Sequence, residues 1–114
     1  MLISGDIVEI DLGLPAGHEA GLRRPAVVVT AQRVIDSGSE VIHVVPLTTT
    51  IRRFGSEITI EPDGRDGVSN ASAAQCQHVR AISTGRIDSV RGNVGAVALS
   101  HIREIIGLIL DIPA

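Results

Sequence analysis

The stretch Ile7-Val8-Glu9-Ile10-Asp11-Leu12 alternates apolar and acidic side chains. Successive strand residues point to opposite faces of a sheet, so Val8, Ile10 and Leu12 face one way and Glu9 and Asp11 the other. This is a half-buried strand, and the rest of the chain can be read outward from it. Gly13-Leu14-Pro15-Ala16-Gly17-His18-Glu19-Ala20-Gly21 comes next as a loop, by its glycines and proline. Pro25 then opens Ala26-Val27-Val28-Val29-Thr30, a continuous apolar run suited to a buried strand, with proline tolerated at a strand's first position. Residues 32–40 are polar and contain the turn Asp36-Ser37-Gly38-Ser39. Val41-Ile42-His43-Val44-Val45 is a third strand, stopped by Pro46 and followed by Leu47-Thr48-Thr49-Thr50.

Arg52-Arg53-Phe54-Gly55 reads as a short loop. Glu57-Ile58-Thr59-Ile60-Glu61 alternates again and ends at Pro62-Asp63-Gly64, a turn signal that Asp66-Gly67 repeats. Residues 72–82 read as a further strand pair, and Gly92 and Gly95 interrupt the next segment. The tail changes period. Ile102, Ile105, Ile106 and Ile109 recur at helical spacing, Ser100 can cap the helix start, and Pro113 marks the end. Short strands with tight turns and then one amphipathic helix predict a single mainly β domain over residues 1–114: a small β-barrel with a helix packed on it.

Composition narrows the function without naming it. Only 1% of the 114 residues are aromatic, a single Phe54, so the core must be aliphatic and an RNA surface cannot lean on rings for base stacking. The formal charge of −3 argues against a general nucleic-acid coat protein. It leaves room for a local basic site, and every basic residue is arginine, whose planar fork suits phosphate. Cys76 is alone, which removes a disulfide frame and a cysteine metal site. The four histidines lack metal-ligand spacing. No signal peptide is visible and the longest apolar run is too short to span a bilayer, so the expectation is a cytoplasmic protein without a membrane partner.

Two clusters at strand ends could carry chemistry: Arg23-Arg24 before the buried run, and Thr48-Thr49-Thr50 followed by Arg52-Arg53. Guanidinium forks and hydroxyls together suit a phosphate oxyanion. On residues alone the same clusters are better read as ordinary solvated strand ends.

Three segments resemble the MazF/PemK/Kid family of toxin ribonucleases. Gly5-Asp6-Ile7-Val8-Glu9-Ile10-Asp11-Leu12 resembles its opening strand. Gly17-His18-Glu19 with Arg24-Pro25-Ala26-Val27-Val28-Val29 resembles its second signature, and Val44-Val45-Pro46-Leu47-Thr48-Thr49 its third. The resemblance covers essentially the whole chain in order. It implies an SH3-like (PemK/CcdB-type) barrel with a C-terminal amphipathic helix, forming a homodimer. It also implies sequence-specific cleavage of single-stranded RNA without metal or other cofactor, and a cognate antitoxin whose disordered acidic segment covers the RNA channel. Carried over residue by residue, it places the catalytic roles on Arg24 and Thr48, and a loop contact to substrate on Glu19. His18, Arg23, Thr49, Arg52, Arg53, Gln77 and His78 are the accompanying expected RNA contacts.

The implied chemistry is attack of the substrate's own 2′-OH on phosphorus, with Arg24 and Thr48 stabilising charge on the phosphate oxygens. The opening strand departs from the family in having Val8 where a tryptophan is usual, a change that concerns packing. His78 stands where a glutamine is usual, which would couple RNA preference to pH near 6 to 7 if it contacts a base. Its other reading is a surface strand histidine. His43 reads as packed or paired, His101 as solvated in the first helical turn, Cys76 as a small buried residue, and Glu57, Thr59 and Glu61 as a solvated acidic face. Arg80, Arg86 and Arg91 are weaker phosphate candidates. Two other readings stand beside the nuclease. A CcdB-like gyrase-binding toxin shares the barrel but typically ends in an aromatic, where this chain has Asp111-Ile112-Pro113-Ala114. A non-catalytic SH3-like interaction module is the third.

Overall fold

The computed structural model describes residues 1–62, 64 and 67–113. The turns expected at Pro62-Asp63-Gly64 and Asp66-Gly67 depend on Asp63 and Asp66, which lie outside the described residues, as does Ala114. The described elements are β1 (Asp6–Asp11), β2 (Arg23–Val28), α1 (Gln32–Asp36), β3 (Val41–Thr48), β4 (Glu57–Ile60), β5 (Ser72–Gln75), β6 (Arg80–Ser83), β7 (Ile87–Asn93) and α2 (Gly95–Ile109). Two 3₁₀ turns, Cys76–His78 and Thr84–Arg86, bend the chain into and out of β6. The strands pair antiparallel in the order β4-β5-β3-β2-β1-β7, and β6 pairs β3 off that path. Among the described residues the strand path does not close on itself, but the fold is barrel-like, with α2 packed on it as expected.

The central strands are buried on both faces, and alternate residues divide between two aliphatic clusters. Ile7, Val27, Val45 and Leu47 join Ile60, Ala74, Cys76 and Ile102 of α2 in one. Val8, Ile10, Leu12, Ala26, Val28, Ile42 and Val44 join Ile82 in the other. This two-sided burial is why residues 26–29 read as an unbroken apolar run. Fully burying each such side chain stabilises by about 1.5–3 kcal/mol, so number replaces aromatic bulk. Val8 is fully buried, a packing position as expected.

Five local readings change. β3 is not stopped by Pro46 but runs through it to Thr48. The polar stretch after β2 holds a short helix, α1, ahead of its turn. Pro25 is the third residue of β2 rather than its first; the β2–β3 ladder begins only at Ala26, so Pro25 sits where β2 is paired on one side. β7 is a strand, paired with β1 through two register shifts. Helix α2 starts at Gly95, so Ser100 and His101 lie inside it, and the Gly95 N–H is met by Asn93 Oδ1 at 2.8 Å. Among the described residues no helix is long and apolar enough to cross a membrane.

Candidate functional site

The β2–β3 register sets Ala26 opposite Pro46. Arg23 and Arg24 come just before Ala26 on one strand, and Thr48 and Thr49 just after Pro46 and Leu47 on the other. The two clusters found at strand ends in the sequence therefore lie side by side where the β2–β3 ladder ends. Both pairs line a cleft of about 260 Å³ with Leu22 and Ser72.

That cleft shares Arg24 and Thr48 with a second, of about 280 Å³, lined also by His18, Glu19, Thr50, Arg52, Gln75 and His78. The second shares Glu19 and His78 with a third, of about 390 Å³, that continues to Gln77, Val79 and Arg80. Together they form a continuous polar groove. It gathers every expected site residue except Arg53, which is exposed, has a left-handed backbone (φ 57°) and lines none of the three.

The loop between β1 and β2 forms one wall. The Leu12 N–H donates to Leu22 O and the Leu22 N–H to Gly13 O, closing the loop at its neck. Gly21 is required there, because a Cβ would lie 2.6 Å from the Pro15 ring. The Ala16 N–H donates to the Glu19 carboxylate at 3.2 Å, which steadies the tip carrying His18 and Glu19.

Arg24 is half-buried and held from two sides. Its Nε donates to Gly21 O at 2.9 Å and its Nη1 to Gln75 Oε1 at 3.4 Å. Other guanidinium donors remain for an anion. Thr48 Oγ1 accepts from the Thr50 N–H at 3.2 Å and keeps its own O–H to donate. An arginine fork and a hydroxyl thus converge on one cleft, an arrangement that binds a phosphate oxyanion.

The other cations differ. Arg23 is ion-paired with Asp88 of β7. Arg52 donates from Nη2 to Glu57 Oε2 at 2.5 Å and lies over the Phe54 ring, 4.6 Å from its centroid. Gln77 is held by the same carboxylate, donating from Nε2 to Glu57 Oε2 at 2.7 Å. Arg80 and Arg86 donate to the backbone oxygens of Leu12 and Asp11, and Arg91 pairs with Glu9.

Glu57 overturns its expected reading. It is not a solvated acidic residue: its side chain is 2% exposed, under Arg52 and Gln77. Burial pushes its carboxyl up, but the Gln77 and Arg52 hydrogen bonds and the Arg52 charge bring it below its ordinary value. His43 is exposed beside an apolar cleft rather than packed. Cys76 is buried as expected, and burial raises its thiol to about 11.

For His78, burial and the Arg52 charge lower the proton affinity, Glu57 raises it, Arg24 lowers it and Glu19 raises it. The net effect is a value below the ordinary 6.5, so the expected window near 6 to 7 moves down. Gln75 and Glu57 are the site residues that the sequence did not single out. Among the described residues no group of three or more His, Cys, Asp and Glu side chains is placed to hold a metal ion.

Known proteins give this groove a context. Residues 3–110 match the family of PemK-like, MazF-like toxins of type II toxin-antitoxin systems. The chain is 33% identical to Endoribonuclease MazF9 of Mycobacterium tuberculosis, over 98% of each chain. In fold it is similar to crystalline MazF from Deinococcus radiodurans, with a TM-score of 0.79, 25% identity and 96% of each chain covered. It is also similar to an endoribonuclease in complex with its cognate antitoxin from a mycobacterial species, with a TM-score of 0.78, 17% identity, and 100% of this chain and 99% of that one covered.

Proposed function

Because the chain belongs to the PemK-like, MazF-like toxin family of type II toxin-antitoxin systems, we propose that it is an endoribonuclease that cuts single-stranded RNA at specific sequences without a metal ion. The observation that carries this reading is the convergence of Arg24 and Thr48 on one groove with Glu19 and His78. The endoribonuclease name of the mycobacterial relative supports it.

In the proposed reaction the 2′-OH attacks the adjacent phosphorus and the 5′-oxygen leaves, giving a cyclic phosphate and a free 5′-OH. Negative charge grows on the non-bridging oxygens, and Arg24 and the Thr48 hydroxyl meet it with donors already in place. Arginine stays protonated near neutral pH and is a poor base. His78, kept largely neutral at pH 7 by its surroundings, and the Glu19 carboxylate are the groove's groups suited to taking the 2′-OH proton. His18, Arg23 and Thr49 line the approach to this centre, and Arg52, Gln77 and His78 its continuation.

The partner in this reading is an antitoxin whose acidic, disordered segment folds along the same groove, where arginines are concentrated despite the chain's net charge of −3. A structure of a similar fold in complex with its cognate antitoxin supports an antitoxin as the partner.

The test is incubation of the purified protein with long mixed-sequence RNA in EDTA, with the new 5′ ends mapped. Discrete cuts are expected. Arg24→Ala and Thr48→Ala should each lower their rate by about 10²–10³-fold, the scale for losing one oxyanion donor, while far-UV circular dichroism stays unchanged. Undiminished cutting by a folded variant removes that residue from the mechanism, and no cutting by the wild type removes the activity.

A further inference from the structure

Two arginines of the groove are held from beneath by two side chains that face each other across a strand pair. The β4–β5 register sets Glu57 directly opposite Gln75. Gln75, on β5, accepts from Arg24 with a neutral amide. Glu57, on β4, accepts from Arg52 with a charged carboxylate. The two clamps are alike in place and unlike in charge. Arg24 keeps its full positive charge for an anion. The charge of Arg52 is already met.

The cluster around Glu57 is built at a cost to stability. Its carboxylate is nearly inaccessible, and both Glu57 Oε1 and Gln77 Oε1 are buried without a hydrogen-bond partner. A neutral side chain opposite Gln75 would avoid the buried charge. What the carboxylate achieves is orientation. One oxygen, Oε2, fixes both Arg52 at 2.5 Å and Gln77 at 2.7 Å, and the Phe54 ring holds the Arg52 plane from another side. Neither partner hangs loose in the groove.

We infer that Glu57 is a specificity-determining positioning residue: by neutralising Arg52 and orienting both Arg52 and Gln77, it makes this end of the groove select RNA by hydrogen-bond geometry and leaves phosphate attraction to Arg24. The inference rests on the ribonuclease reading above. It predicts a signature that a merely structural carboxylate would not produce. A cation that is already paired releases few counterions on binding RNA. A cation freed of its partner adds about 0.7 to the slope of log affinity against log salt for a single strand.

The experiment measures binding of uncleavable 2′-O-methyl RNA of mixed sequence between about 50 and 200 mM salt, beside cut-site mapping on ordinary RNA. The isosteric Glu57→Gln should steepen the salt slope by about 0.7, losing roughly threefold more affinity than the wild type across that range, and should spread cuts onto sites the wild type ignores. Adding Arg52→Ala to Glu57→Gln should return the slope to the wild-type value. Glu57→Asp, which keeps the charge on a shorter arm, should keep the wild-type slope and still broaden the cut sites, and it serves alone if Glu57→Gln does not fold.

An unchanged slope and cut pattern in folded Glu57→Gln overturns the inference. So does a steeper slope that persists without Arg52, or a Glu57→Asp variant that either steepens the slope or cuts like the wild type. Wild-type protein that cuts no RNA fails the ribonuclease reading instead. Wild-type cutting with indifferent Glu57 variants fails this inference alone.

Discussion

His78 shows what a single side chain gains from its place in the fold. It stands in the 3₁₀ turn after β5, partly buried, facing Arg24 and Arg52 and also Glu19 and Glu57. Burial leads the shift, and the net value lies below the ordinary 6.5. The unfolded chain therefore takes up the proton first as pH falls, so the His78 contribution to folding is present above 6.5 and is lost below it. A phosphate in the groove acts the other way, favouring the charged form. RNA affinity should then strengthen as pH drops from about 7 to about 5, and His78→Gln should remove that part of the pH profile. Matching profiles for wild type and variant, measured with uncleavable RNA, would take His78 out of the groove's electrostatics. The sequence made Arg24, Thr48, Glu19 and His78 visible as candidates, because a local motif carried each. Glu57 and Gln75 were invisible for a physical reason. Each sits in a strand whose alternation says only which face it takes, and their partners are set by how the chain folds back: Arg52 across the loop before β4 and Gln77 from the turn after β5 meet Glu57, and Arg24 of β2 meets Gln75.

Among the elements, α2 depends on one arginine for its seat. Its apolar stripe, Leu99 and Ile102 with Ile105 and Ile106, packs on the sheet. Arg103 on its flank donates to Val29 O at 3.1 Å and Thr30 O at 3.2 Å, and to Ser4 Oγ at 2.6 Å. Val29 and Thr30 come directly after β2, so the side chain ties the helix to the end of a central strand. The site is exposed and water can replace part of the loss, so Arg103→Ala should cost about 1 kcal/mol. That corresponds to a fall in Tm of roughly 4–5 °C, read by thermal melts, with RNA cleavage unchanged because the groove lies elsewhere. A variant that melts like the wild type would show that the apolar stripe suffices. The strands β1 to β4 and the helix were legible from alternating, unbroken or helically spaced apolar residues, whereas β5 and β6 were read only as one strand-pair region over residues 72–82. β7 was not: Asp88, Ser89, Val90 and Arg91 are all exposed, and two register shifts against β1 break the alternation that marks a strand in sequence. The start of α2 was hidden because Ser100 is a plausible cap, whereas the Gly95 amide is met by Asn93 before the first turn.

For the molecule as a whole, polar and apolar surfaces are separated. The arginine groove ends at Val79 and Arg80, and the same two residues border a larger cleft of about 430 Å³ lined by Val29, Ala81, Ile106, Leu110 and Ile112. Around the end of α2, Leu108 is 72% exposed, Leu110 58% and Ile112 59%. Apolar surface concentrated in one place is a common mark of an association site. Covering each of these side chains would contribute about 1.5–3 kcal/mol, and a stable pair of chains needs about 800 Å² from each. We therefore expect the homodimer to form through this face, which would set the polar grooves of the two copies near one another. Sedimentation equilibrium should show a dimer for the wild type and a monomer for Leu110→Asp combined with Ile112→Asp. The thermal stability of the separated fold should be little changed by the substitutions themselves, since both side chains are exposed within one chain. A dimer that survives both charges places the interface on another face, and a wild-type monomer at tens of micromolar would leave this apolar surface without a second copy to cover it.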